Sequence, residues 1–446
     1  MFEYTEDQLR SLADEALRHA RSIGATDAVV ELAENTGLNV NVRKRRVETI
    51  EKTRDKSFGV TVYVGKRRGH ASSSDFGLAP LRETIDAAFQ IARFTAEDEC
   101  AGLPDADLLA RRWRAPDMFH PWDIDADAAI GLACAAEDAA FATSPMVRNS
   151  DGASVSAGHG QFLLANSLGF AGGYPYSRHS LSCSPIAQRG REMQRDGWYS
   201  ADARPERLAD AATLGRYAAQ RSLARLGARR LPTGRVPVLF ESPLAIGLIG
   251  HLVQALSGGA LYRQSSFLLD SIGQKILPSH VDLIEDPSLA GEPGSAPFDS
   301  EGVRTARRRV IDAGVIQGYF LSTYSARKLG MPTTGNAGGS HNLRLRSRRT
   351  KPGDDLDAML RRLGTGLFVT DLMGQGVNYV NGDYSRGAGG YWVENGVIAY
   401  PVEEITIAGN LREMYAGIVA IGADEIRRGA KRSGSILIES MAVAGT

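Results

Sequence analysis

The chain is poor in the features that would commit it to several function classes. It has three cysteines in 446 residues, Cys100, Cys134 and Cys183. They form no CxxC pair and no His/Cys cluster, so a disulfide framework and a cysteine-rich zinc module are both excluded, and a reducing, cytoplasmic location is expected. Charge of one sign is also missing. Lysine plus arginine equal aspartate plus glutamate at 52 each, so no global field draws the chain to nucleic acid or membrane. Long hydrophobic runs are absent too: the most apolar stretch, Val236 to Leu256, is interrupted by Glu241, Pro243 and His251 and does not suit a bilayer span. The opening residues, MFEYTEDQLR, are polar and acidic, which does not fit a signal peptide.

What is present is ordinary for a soluble globular protein: 43% hydrophobic and 23% charged residues, on a length that suits two domains with ample core. Leu9, Leu12, Ala16 and Leu17 share a face of a helix over 5–22. Strands are expected at 28–32, 38–42 and 58–64, with 65–69 as a hairpin turn. A helix over 78–94, capped by Ser74 and Asp75, precedes an irregular stretch at 95–121 with three prolines. An Ala-rich helix follows at 123–143, then strands at 162–165 and 180–183, then a long helix over 205–226. The basic, Pro- and Gly-broken segment 228–235 reads as a domain boundary, dividing the chain into 1–230 and 231–446.

Beyond it come a strand at 236–240, a helix to about Leu256 with Ser242 as its cap and Pro243 in its first turn, and a Pro/Gly/Ser loop at 286–300. A hairpin at 310–316, a helix at 355–363, a strand at 367–371 and an Asn395-Gly396 type I′ turn complete the pattern, with a strand at 404–408 and a short helix capped by Asn410. Helices and strands occur in runs, without βαβ alternation. The fold class expected is α+β, two domains with mixed or antiparallel sheets and flanking helices, the C-terminal domain β-rich.

Few residues fall into a catalytic pattern. A metalloprotease helix needs two histidines on one face and a glutamate to activate water. His251 is the only histidine in an expected helix of the second half, and its helical neighbours are Gly247, Gly250, Gln254 and Ala255, none a strong ligand; a packed histidine is the plainer reading. His179 and Cys183 share a strand face, for which ordinary strand packing is a far plainer reading than a nucleophile pair. Thr334 to Ser340 is Gly-rich but has no Walker ending. Arg43–Arg46, Lys66–Arg68 and Arg307–Arg309 are basic clusters that read either as solvated strand edges or as a nucleic-acid surface, the latter disfavoured by zero net charge.

The densest signal is Gln375 to Gly396, where Gly, Asn, Asp, Ser, Arg and aromatics crowd between short β-type runs. Such a surface, built from hairpins, can capture an extended peptide by strand addition. The expected substrate-binding residues are Gly374, Gln375, Gly376, Asn378, Gly382, Asp383, Tyr384, Arg386 and Glu394, the glycines allowing close backbone approach.

Leu261–Leu268, Tyr324–Met331 with Thr333–Gly339, Gly374–Gly396, Pro401–Leu411 and Ile418–Asp424 together resemble the TldD/PmbA family, nearest its PmbA (TldE) branch. The resemblance implies an intracellular zinc metalloprotease of two related subunits that encloses and cuts unfolded peptides; members are also named modulators of DNA gyrase. In the metal-bearing, TldD-like subunit an HExxxH helix and a late cysteine hold the zinc. Here the second histidine would be His251, but the first falls on Ile246 and the glutamate on Gly247, and no cysteine follows Cys183. The expectation is therefore no metal and no catalytic residue in this chain, His251 being at most a vestige, and zinc in a TldD-like partner. Extended peptide is the expected ligand; membrane and nucleic acid are not. Two alternatives stay open: a self-sufficient metallopeptidase with ligands such as His251, His280 and His341, and a non-enzymatic, gyrase- or nucleic-acid-associated modulator.

Overall fold

A computed structural model describes residues 2–445. The chain forms two compact units, one comprising the chain up to Leu223 plus Ala290–Thr305, the other Ala224–Leu289 plus Ala306 onward. The α+β expectation holds, with a β-rich C-terminal half.

The first unit is one antiparallel sheet with helices. Its elements are α1 (Glu6–Ser22), β1 (Asp27–Arg43), β2 (Arg46–Val64), β3 (Arg67–Ser73), α2 (Leu78–Phe94), α3 (Ala126–Thr143), β4 (Val147–Asn166), β5 (Ala171–Arg189), β6 (Glu192–Arg195), β7 (Trp198–Asp202) and α4 (Ala211–Ala224). The strand order is β3-β2-β1-β4-β5-β6, with β7 also on β5. Four strands are far longer than the short runs expected from sequence. Ala28, Val30 and Leu32, then Leu38, Val40 and Val42, are buried along the whole of β1, so one strand keeps a period of two across the polar residues between them. The two ends of the sheet carry separate cores. Leu9, Leu81 and Ile85 of α1 and α2 cover one; Ala133, Ala136 and Leu214 of α3 and α4 cover the other. Residue 215 must be glycine, because a Cβ there would stand 1.8 Å from the Ala136 carbonyl oxygen where the two helices touch.

Several local expectations shift. The helix expected over 205–226 is a short 3₁₀ turn at Pro205–Arg207 followed by α4, because the Asp210 carboxylate accepts the Thr213 amide at 2.8 Å and starts a new helix there. Helix α2 begins after Gly77, and Asp75 accepts the Gly77 amide in the turn before it without capping the helix. Phe298, in the loop read at 286–300, is buried in the first unit against Trp113, Phe162, Phe170 and Tyr174.

The second unit contains β8 (Gly234–Phe240), α5 (Ser242–Ala255), α6 (Gly258–Tyr262), β9 (Val281–Glu285), β10 (Arg308–Asp312), β11 (Val315–Ile316), α7 (Thr323–Lys328), β12 (Leu343–Ser347), α8 (Leu356–Leu363), β13 (Gly366–Met373), β14 (Asp383–Glu394), β15 (Val397–Asn410), α9 (Leu411–Ala416), β16 (Ile418–Ile421), β17 (Ile426–Arg428), β18 (Lys431–Ser433) and β19 (Ile436–Ala444). One sheet runs β11-β10-β9-β12-β18-β17. The other runs β15-β14-β13-β8-β19-β16, and β15 also pairs with β19, so five strands close into a ring. The extra pairing covers the free side of β15, while β16 stays an edge strand on β19. Asn395 and Gly396 have φ of 51° and 80°, as the type I′ turn between β14 and β15 requires. The buried face of α5 (Ala245, Leu248, Ile249, Leu252 and Ala255) belongs to the same core as Val238, Phe240, Leu367 and Val369 of β8 and β13.

Candidate functional site

Helix α5 and strand β14 hold the most distinctive polar cluster of the second unit. The helix starts with Pro243 in its first turn, where the missing N–H costs nothing. Ser242 is the first helical residue and not the cap; its hydroxyl donates to the Asp424 carbonyl at 2.7 Å and lies 2.9 Å from the Asp424 carboxylate. His251 lies two turns on, half-buried. Its Nδ1 is 2.8 Å from the Tyr379 hydroxyl, and its ring meets Tyr384 edge-on at 5.9 Å. Burial, helped by the nearby Arg386 cation, pulls the His251 pKa down to about 4, so the imidazole is neutral at pH 7. Beneath it, the Tyr415 hydroxyl donates to the Leu248 carbonyl at 2.8 Å.

The glycine-rich segment is a folded loop followed by a strand. Gly376 pairs with Ser385 (its carbonyl accepts the Ser385 amide at 2.7 Å), and a Cβ on Gly376 would stand 2.0 Å from the Ser385 carbonyl oxygen. That glycine is required by the chain's own return path. Asn378 accepts the Val380 amide at 2.9 Å, and Asp383 accepts from the Asn381 side chain at 2.7 Å, so both side chains close the loop. The Tyr379 carbonyl accepts the Phe267 amide at 2.7 Å, which fixes the residue that reaches His251.

Of the residues expected to touch substrate, Gly374, Gln375, Gly376, Asn378, Asp383 and Glu394 are exposed, whereas Gly382 is buried. Tyr384, expected at the surface, is 2% exposed, and burial raises its hydroxyl pKa to about 12 against the opposing pull of Arg386. Arg386 is half-buried. Glu394 lies at the far end of β14, where it accepts from the Trp392 indole at 3.2 Å. The structure thus gathers His251, Tyr384 and Arg386, and adds Tyr379 and Tyr415, which sequence reasoning did not place in the set. Nothing in the sequence couples Tyr379 to a histidine 128 residues earlier.

The donor set does not fit zinc. Ile246 and Gly247 occupy the positions one turn before His251, and among the described residues no group of three or more His, Cys, Asp or Glu is placed to hold a metal. His280 and His341 are engaged elsewhere, with the Ser347 hydroxyl at 2.9 Å and the Gly335 carbonyl at 2.9 Å. Cys183 is packed in the first unit's core, its thiol pushed up to about 12 by burial, and His179 is bonded to the His120 carbonyl. The basic clusters are largely paired with carboxylates: Arg45 with Asp138, Arg67 with Glu97, Arg307 with Asp286, Arg308 with Glu285 and Arg309 with Asp312.

Three family models match the chain: PmbA/TldA metallopeptidase domain 1 at 28–92, the central domain at 119–226 and the C-terminal domain at 233–445. The metalloprotease PmbA of Escherichia coli O157:H7 is 44% identical over 98% of this chain and 97% of its own length. The chain belongs to the PmbA/TldD family. A PmbA homolog from Haemophilus influenzae, also named a metalloprotease, is 42% identical over 99% of the chain and 97% of its own length. A Bacteroides thetaiotaomicron crystal structure described as a modulator of DNA gyrase superposes with a TM-score of 0.92 at 26% identity, covering 99% of this chain and 100% of that one. TldE from Thermococcus kodakarensis shares the fold, with a TM-score of 0.82 at 18% identity over 97% of this chain and 100% of that one. These PmbA relatives carry metalloprotease names, which imply a metal in the family, while the donors around His251 do not form a site for one.

Proposed function

We propose that this chain is the PmbA/TldE-type subunit of a two-subunit peptidase, that it holds extended peptide with its C-terminal domain, 231–446, and that a TldD-like partner supplies the zinc. The observation that carries this reading is the state of α5. Its one histidine is neutral and hydrogen-bonded to Tyr379, and the residues one turn before it, Ile246 and Gly247, offer neither a ligand nor a base. A lone imidazole holds Zn²⁺ weakly, and among the described residues no carboxylate adjoins it to activate water. The metalloprotease names of close relatives support a role in peptide hydrolysis by the assembly.

In this role the chain's own residues bind and orient. The backbone of β14 is already paired on both sides, with β13 and β15, so a peptide would meet the exposed loop 374–382 and the outward side chains of β14. The test is reconstitution. The purified chain alone is expected to leave an unfolded peptide intact, to copurify with a metal-bearing TldD-like paralogue, and to yield chelator-sensitive cleavage only in the mixture. Chelator-sensitive cleavage by the chain alone would contradict the reading.

A further inference from the structure

Arg386 is set where a structural arginine would need a partner. On β14 it alternates with exposed Ser385 and shares its face with Tyr384 and Ala388, both buried. Its Nε is buried and makes no hydrogen bond, and among the described residues Arg386 enters no salt bridge. Other cations drawn inward in this unit are matched: Arg308 lies 2.7 Å from Glu285, and Arg225 lies 3.0 Å from Asp371. Tyr384, two residues back on the same face, hydrogen-bonds Arg386 through its hydroxyl, and the His251 imidazole and the Tyr379 hydroxyl bonded to it lie within reach of its charge; all three can donate or accept hydrogen bonds and none brings negative charge. A desolvated cation without a counter-charge is costly, so it persists where an anion completes it.

We propose that Arg386, with the Tyr379 hydroxyl beside it, is a carboxylate-binding subsite that takes the free C-terminal carboxylate of a peptide. A guanidinium offers two parallel N–H donors to a carboxylate, and a phenol hydroxyl can donate a third bond. The His251 ring, neutral and held by Tyr379, leaves the local charge positive. The subsite rests on the reading of this chain as a peptide-holding subunit and adds a specificity to it: preference for peptides that end nearby over internal segments of longer chains.

The test uses the full chain and a short alanine–leucine peptide labelled with fluorescein at its N-terminus, as the free acid and as the C-terminal amide, titrated by fluorescence anisotropy. The acid is expected to bind about tenfold or more tightly than the amide. Arg386→Gln is expected to abolish that preference, Arg386→Lys to keep part of it, and Tyr379→Phe to reduce it. Equal binding of acid and amide, or a preference that survives Arg386→Gln in a folded variant, overturns the subsite and leaves the peptide-holding reading standing. Binding of neither peptide to the wild-type chain overturns both. Should Arg386→Gln fail to fold, the Arg386→Lys and Tyr379→Phe titrations decide.

Discussion

Two inward-turned charges, the buried Glu137 in the first unit and the half-buried Arg386 in the second, solve opposite problems. Glu137 on α3 is 0% exposed and accepts the amides of Lys44 and Arg45 at 2.9 and 2.8 Å. Those residues form the β1–β2 turn and both have positive φ, 50° and 61°, a conformation that needs outside support in residues with a Cβ. The carboxylate is fully occupied by the fold. Arg386 has no equivalent set of partners in its own unit. A buried charge whose hydrogen bonds are all internal marks architecture; one left without a counter-charge marks a place for a ligand.

The sharpest way to break this contrast is to remove each charge and measure stability. Glu137→Ala strands two turn amides and opens a void, and is expected to cost about 3 kcal/mol in urea unfolding. A loss below about 1 kcal/mol would show that the turn holds without it.

The next largest effect is a pH dependence in the second unit. His251 titrates near 4 in the folded chain and near 6.5 when unfolded. The unfolded state therefore takes up the proton first as pH falls. The stability from keeping His251 neutral is complete above about 6.5, declines between about 6.5 and 4, and is gone below that. The expected contribution is on the order of 2–3 kcal/mol, read as the part of the acid-side loss that His251→Gln removes. An identical pH profile in the variant would contradict the burial of the imidazole.

How far the sequence revealed these places depends on the range of the interactions. The Asn395-Gly396 turn and the Asn410 cap were legible, because each is set by a residue acting on its neighbours; Asn410 accepts the Arg412 amide at 3.0 Å. Strand lengths were not: residues 33–37 of β1 are polar or small, and only pairing on both sides, with β2 and with β4, keeps the strand extended through them. The polar cluster was half legible. Composition flagged Tyr384 and Arg386 as chemistry-bearing, but that both face inward depends on the pairing of β14 with β13 and β15. Gly376, read as room for a substrate, makes room for the chain's own backbone, a Cβ there lying 2.0 Å from the Ser385 carbonyl oxygen, and Gly390 does the same against the Phe368 carbonyl.

Smaller effects refine the comparison. Tyr379→Phe removes one hydrogen bond to His251 and is expected to cost about 1 kcal/mol, with the loop 374–382 exchanging its amides faster in hydrogen-exchange measurements. Unchanged exchange would detach that loop from α5. Arg386→Gln is expected to change stability by less than about 1 kcal/mol, or to raise it, because no internal ion pair is broken. A loss as large as that of Glu137→Ala would make Arg386 architectural and erase the distinction between the two charges.

The most direct measurement is the zinc content of this chain purified alone, by elemental analysis after mild dialysis. Less than about a tenth of a zinc per chain is the expected result, since one neutral histidine bonded to a tyrosine is not a metal site. Close to one tightly held zinc per chain, lost on changing His251, would contradict the account and return the catalytic centre to this subunit.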